Sequence, residues 1–282
     1  MDAKKLYSRL NKTFKLDKYG EYEWNIVYNK FINENFRKRR NGVLLDNTKE
    51  IKYVFTAVFP SDEVLTKILK SRKHDVLLVT HHPMVWDIRK APNVFTNINP
   101  KLLPKLKERR ISIYTLHVPL DKNGKYSTTV NLAKALGIIQ EGEFLKYFGV
   151  KVGVIGRTKL KTSEQLEDKL ASVVEHKTKL WKYGRTGIEN GKVALGAGGG
   201  NEVSVLQEVV RLKINTYITG ITALNDYSRK AHEFAKENKI NIIGGTHYST
   251  EKFACISLCD YFENIGIPCE FIEDKPILED LE

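Results

Sequence analysis

A chain of 282 residues, 41% hydrophobic and 28% charged, is long enough for one large domain or two ordinary lobes and can bury its core without covalent staples. No stretch reaches the eighteen or so uncharged apolar residues that a membrane helix needs, so a membrane partner is not expected. Lys+Arg outnumber Asp+Glu by 46 to 34, a formal charge of +12, densest at Arg37–Arg40. The lysines are scattered and no helix-turn-helix, zinc-finger or RNA-recognition signature accompanies them. A solvated basic surface is therefore the expectation, with nucleic acid or another polyanion as the alternative partner.

The first twenty residues lack an apolar h-region, so no secretory signal is expected. Lys52–Phe59, rich in β-branched and aromatic residues, predicts a strand. Ser61 or Asp62 can cap the next helix, whose apolar stripe is Val64, Leu65, Ile68 and Leu69. A strand at Asp75–Thr80, a helix starting near Pro100 or Pro104, a strand at Ile111–Leu116 and a helix closed by Gly137 come next. The order then restarts: strand 150–157, a helix from Thr162 with a T-x-x-Q start, strand 192–196 running into the glycine turn Gly196–Gly200, a helix from Asn201, strand 215–220, a helix from Asn225, strand 240–246 and a helix from Thr250. Alternating strands and helices predict an α/β chain of mainly parallel sheets with helices on their faces. The restart predicts two similar lobes, 1–145 and 146–282, with a boundary near Glu141–Lys146.

Ligands of open α/β sheets sit beyond the carboxyl ends of strands. His81 and His82 come directly after the strand at Asp75–Thr80, and Pro83 keeps His82 out of the α region. His117 and Asp121 come after Ile111–Leu116. His247 and Glu251 come after Asn241–Gly244, four apart, and share a face if a helix starts at His247. Imidazoles mixed with carboxylates suit divalent Zn, Fe, Mn, Ni or Co. Five such ligands are too many for one open catalytic zinc and suit two metals sharing a bridging carboxylate. A single histidine at a strand end is more often structural; agreement among three strand ends favours metal. His74, His176 and His232 are expected to be inert surface residues.

The segments "LLVTHHPMVW", "YTLHVPLD", "GAGGGNEVSVL…NTYITG" and "GGTHYSTEKFA" resemble, in that order, motifs of the NGG-one-interacting-factor-three family, often named GTP cyclohydrolase I type 2 homologues. The likeness runs from about Asn41 to Asp260. It implies two α/β lobes around a cleft with a dinuclear metal site. The implied ligands are His81, His82, Asp121, His247 and Glu251, with Glu251 as the bridge and His117 beside the metals, a candidate proton relay. It also implies a homohexamer. Two departures stand out. Arg37–Arg40 replaces the family's acidic or tryptophan residue before Asn41-Gly42, and Pro119 replaces its usual asparagine.

The glycine turn is a candidate phosphate cradle, although it lacks the Lys-Ser/Thr of a P-loop; the alternative is close packing of helix on sheet. Cys255 and Cys259, with Cys269 the only cysteines, fit buried helix positions better than ligands. An odd number so placed is no disulfide framework, and a reducing cytoplasm is expected. The function expected is metal-dependent hydrolysis of a small polar or nucleotide-like substrate, with two divalent ions per chain. Metal delivery without a substrate, or polyanion binding, are the alternatives.

Overall fold

The computed structural model describes residues 1–28, 30–226 and 228–282. Two compact units divide the chain: residues 1–121 with 255–275, and residues 122–254 with 276–282. In chain order the first stretch carries α1 (Ala3–Phe14), α2 (Glu34–Arg39), β1 (Gly42–Leu45), β2 (Tyr53–Ala57), α3 (Asp62–Lys70), β3 (Val76–Thr80), β4 (Val85–Trp86), β5 (Phe95–Thr96), α4 (Leu103–Glu108), β6 (Ile111–Thr115) and α5 (Val118–Asp121). The second carries α6 (Thr128–Ala135), β7 (Ile139–Tyr147), β8 (Val150–Arg157), α7 (Ser163–Val174), β9 (Lys179–Trp181), β10 (Lys192–Gly196), α8 (Val203–Arg211), β11 (Thr216–Thr219), α9 (Arg229–Glu237) and β12 (Asn241–Gly244). α10 (His247–Glu263) comes next, and then β13 (Cys269–Phe271).

The first unit is built on a sheet of order β1-β6-β3-β2-β13. β6, β3, β2 and β13 are parallel, and β1 runs antiparallel on the β6 edge. Every residue of β3 and β6 is buried, which explains the unbroken apolar run of β3, while the Ser112 hydroxyl in β6 accepts the Asn47 and Thr48 amides. Leu65 and Ile68 of α3 pack with Phe55, Leu78, Ile111 and Ile113 in one core. The Ser61 hydroxyl accepts the Val64 amide at 3.1 Å, so the expected cap starts α3. Pro104 sits in the first turn of α4, where a missing N–H costs nothing.

The second unit holds a six-stranded sheet, β7-β8-β10-β11-β12-β9. Only β10, β11 and β12 are parallel to one another; β7, β8 and β9 add antiparallel pairings at the two sides. The sheet is mixed because β7 and β8 form a hairpin, turning at Phe148-Gly149, rather than a crossover. Its faces are covered by two apolar clusters. One includes Leu132, Leu166, Leu170 and Ile243, and the other Val205, Val209, Tyr217 and Ile242. Thr162 caps α7 by accepting the Gln165 amide, as its T-x-x-Q start predicts. α9 begins at Arg229, later than the expected Asn225; Tyr227 lies outside the described residues. Among the described residues no helix is long and apolar enough to cross a membrane.

Candidate metal-binding residues

In the first unit, backbone pairing continues past the strand ends and fixes the residues just beyond them. The His81 and His82 amides donate to Ala57 and Val58 carbonyls at 3.1 and 3.0 Å, and the Leu116 amide donates to Thr80 at 2.9 Å. Both histidines are therefore held at the carboxyl edge of the sheet, buried to within 2%. His117 leads straight into the short helix α5, where the Asp121 amide donates to the His117 carbonyl at 3.0 Å. The H-x-x-x-D spacing is thus one helical turn, which puts both side chains on one face.

The hydrogen bonds decide which ring atoms are available. His81 Nδ1 lies 2.9 Å from the Leu116 carbonyl, which only accepts, so Nδ1 carries the hydrogen. Nε2 of the neutral ring is then an acceptor, and it faces Asp121 Oδ1 at 3.3 Å. Two acceptors at that separation need a proton or a cation between them. Ligands about 2.0–2.2 Å from a metal stand about 2.9–3.5 Å apart at tetrahedral to octahedral angles, which spans this distance. Ring nitrogens of His81, His82 and His117 all lie within 4.8 Å of one another, so this trio could hold a metal ion. His82 is set by aromatic walls: Phe59 stacks on it at 4.9 Å, with Phe95 at 5.6 Å and Trp24 edge-on at 5.9 Å.

His117 has a partner that the sequence did not announce. Its Nδ1 donates to Glu21 Oε1 at 2.5 Å, and its backbone amide donates to Asn41 Oδ1 at 3.0 Å. Glu21 Oε1 also accepts the Tyr22 amide at 2.8 Å, while Oε2 accepts from Val118 N at 3.3 Å and from Asn41 Nδ2. A carboxylate 3% exposed is thus met by four donors. It fixes the ring so that Nε2 points toward Asp121 Oδ2, at 3.7 Å. Trp24 packs edge-on against the same ring at 4.9 Å. An acidic and an indole side chain thus stand against His117 and Asn41, and they come from well ahead of the basic run, with Glu21 20 residues before Asn41. Of the basic run, Arg39 pairs with Asp17 and Arg40 with Glu23.

In the second unit, α10 starts at His247, so His247 and Glu251 do share a face. The His247 amide donates to Asp280 Oδ2 at 2.9 Å, a buried carboxylate capping the helix, and Thr246 accepts the Ser249 amide on its hydroxyl at 3.2 Å. Thr246 adopts a positive φ of 64°, strained for a β-branched residue and of the kind concentrated at functional sites. His247 Nε2 stands 3.1 Å from Glu251 Oε1, again within the spacing of neighbouring metal ligands. The glycine turn explains itself here. Gly198 has φ +71°, and a Cβ on it would collide with Glu251 Oε1 and lie 3.2 Å from His247 Cδ2. Its missing side chain leaves room for that carboxylate.

Three other histidines were expected to be inert surface residues. His74 is exposed and His176 half-buried, bonded to Ser249 Oγ at 2.6 Å. His232 is a correction: it is 3% exposed, between Tyr183 Oη at 2.9 Å and the Thr222 carbonyl at 3.0 Å, with Trp181 edge-on. Burial holds its imidazole below the ordinary histidine range. α9 looks polar in sequence because its Lys and Glu face solvent, while Ala231, His232 and Ala235 face inward.

Strand-end histidines and carboxylates buried in an α/β framework define a candidate metal-binding protein. The family model of Duf34/NIF3 (NGG1p interacting factor 3) matches residues 27–276. A GTP cyclohydrolase 1 type 2 homolog of Borreliella burgdorferi is 28% identical, covering 100% of this chain and 96% of its own length. One from Pyrococcus horikoshii is 27% identical over 84% of this chain and 90% of its own. Among solved structures, protein ybgI, of unknown function, superposes with a TM-score of 0.77 at 19% identity, covering 98% of this chain and all of its own. TTHA1606 from Thermus thermophilus gives 0.69 at 20% identity, covering 98% and 99%. The chain belongs to the Duf34/NIF3 family.

Proposed function

We propose that the protein binds two divalent metal ions per chain and is a metal-dependent hydrolase of a small polar or nucleotide-like substrate. The residues that would hold them are His81, His82, Asp121, His247 and Glu251, with Glu251 as the shared carboxylate, as the family resemblance implies. The observation that carries this reading is the spacing of imidazole nitrogens and carboxylate oxygens: His81 Nε2 to Asp121 Oδ1 at 3.3 Å and His247 Nε2 to Glu251 Oε1 at 3.1 Å. Imidazole with carboxylate fits Zn, Fe, Mn, Ni or Co. When bound, such ions act as Lewis acids on water and on an electrophilic substrate atom.

The chain's own residues do the rest. Glu21 keeps a proton on His117 Nδ1 and leaves Nε2 as the atom that takes up and returns a proton. Asp121, one turn along α5, sits where it orients that atom. Trp24, Phe59 and Phe95 line His82 with apolar surface and keep water from its ring. The names of the relatives make GTP the first nucleotide to try. We further propose a homohexamer in the cytoplasm, which a mass in solution six times that of the 32.3 kDa chain would support.

The experiment is a hydrolysis screen of GTP, other nucleotides and phosphorylated small molecules with metal-loaded and chelator-treated protein. The hydrolase reading expects turnover that disappears on chelation and returns with metal. Transfer of metal to an apo-acceptor without turnover on any substrate class would overturn it in favour of metal delivery.

A further inference from the structure

We propose that Cys259 and Cys269 form a reversible dithiol–disulfide site whose co-substrate is a small-molecule disulfide of the glutathione type. Both belong to the first unit, and their sulfurs stand 3.3 Å apart, with the Cys269 thiol donating to Cys259. Both are partly exposed, so a small disulfide reaches them. Cys255 differs. It is fully buried and its thiol donates to the Ala57 carbonyl at 3.2 Å, which removes it from exchange.

The backbone explains the approach. Cys269 opens β13, the edge strand, in register with Val54 of β2. Two residues further along β2, the Thr56 hydroxyl donates to the Cys255 carbonyl at 2.8 Å and lies 3.5 Å from Cys259 Sγ. The helix and the strand are therefore pinned to the same stretch of β2, and the sulfurs close a loop of only 10 residues. A disulfide bond of about 2.05 Å requires the sulfurs to move a little over 1 Å closer, a side-chain adjustment. The hydrogen bond from Cys269 lowers the Cys259 thiol below its ordinary value, and the same bond with burial raises Cys269. Cys259 is thus the attacking sulfur.

The exchange balances in two steps. The Cys259 thiolate attacks one sulfur of the small disulfide, forms a mixed disulfide and expels one small thiolate, which takes up the proton Cys259 gave to solvent. Cys269, losing its proton to solvent, then attacks Cys259 Sγ, forms the Sγ–Sγ bond and releases the second small thiol. Two protein thiols are oxidised and one small disulfide is reduced to two thiols.

The test incubates the whole protein with oxidised glutathione, quenches it with acid, alkylates remaining thiols and measures intact mass and linked peptides. The expected result is loss of two hydrogens, one alkylatable thiol at Cys255, a Cys259–Cys269 linked peptide, and full reversal with dithiothreitol. Cys269→Ser should stop at a glutathione adduct on Cys259. Three alkylatable thiols in the wild-type protein after equilibration, or a link through Cys255, would overturn the proposal. Neither result depends on whether the protein hydrolyses anything.

Discussion

Replacing Glu21 by glutamine tests how His117 is held. The carboxylate accepts from His117 Nδ1 at 2.5 Å and Tyr22 N at 2.8 Å on one oxygen, and from Val118 N at 3.3 Å and Asn41 Nδ2 on the other. Glutamine keeps one acceptor oxygen. If that oxygen stays on His117, the new NH2 faces two donors, Asn41 Nδ2–H and Val118 N–H. Asn41 cannot flip to relieve this, because its Oδ1 already accepts the His117 amide at 3.0 Å. A lost charge-assisted bond is worth about 1.5–3 kcal/mol and a stranded buried donor about 1–3 kcal/mol more, so Glu21→Gln should destabilise the metal-free protein by about 3 kcal/mol. Where His117 joins His81 and His82 around a metal, loss of its carboxylate partner should cost about 10–100-fold in metal affinity. Denaturant unfolding of chelator-treated protein reads the first effect, and competition for zinc with a chromogenic chelator reads the second. A metal-free stability within about 0.5 kcal/mol of wild type would refute the buried network, since a surface substitution costs no more than that. Unchanged zinc affinity alongside lowered stability would confine Glu21 to a structural role.

Three other substitutions probe separate parts of the account. Gly198→Ala forces a Cβ into Glu251 Oε1 at φ +71°, so it should lower metal content and cost about 1–2 kcal/mol in unfolding free energy; unaltered metal-to-chain ratio would show that the glycine serves only the turn. His232→Ala should leave metal content alone and destabilise by about 1–3 kcal/mol, as expected when buried partners lose their hydrogen bonds. The folded ring resists protonation while the unfolded one does not, so its contribution is complete above the unfolded value of about 6.5 and falls away as pH drops below it. Wild-type and His232→Ala melting curves should therefore converge in acid, and a constant gap from pH 7.5 to 5 would contradict this. Asp75, held well below the usual carboxylate range by Arg110 and then Lys52, bonds Arg110 Nε at 2.6 Å and Lys52 Nζ at 3.0 Å. Asp75→Asn should cost about 1.5–3 kcal/mol at neutral pH, a difference that shrinks as pH falls below about 4; equal unfolding free energies at pH 7 would show the ion pairs to be idle.

Much of the fold was legible wherever local pattern and tertiary environment agree. β2, α3 and β3 follow directly from a β-branched run, a capped amphipathic stripe and a buried apolar run. The strand-end histidines were legible because burial and polarity clash there in the sequence itself. β7 was not, because charged residues on its exposed face break up the apolar signal. β13 was not, because three residues become a strand only when β2 offers them an edge. Glu21 escaped for a related reason. Nothing local distinguishes one glutamate of "GEYEWN" from the next, and its role arises from a return of the chain across 96 residues to His117. His232 was misread because the Arg, Lys and Glu residues of α9 hide how few positions its buried face needs.

Elemental analysis of protein purified without chelators and then saturated with zinc, on wild type and on His82→Ala and Glu251→Gln side by side, decides whether the buried imidazoles and carboxylates hold metal. About two ions per chain are expected in the wild type and at least one fewer in each variant, with far-UV circular dichroism unchanged. Less than half an ion per wild-type chain after saturation, or both ions retained by Glu251→Gln, would contradict that expectation.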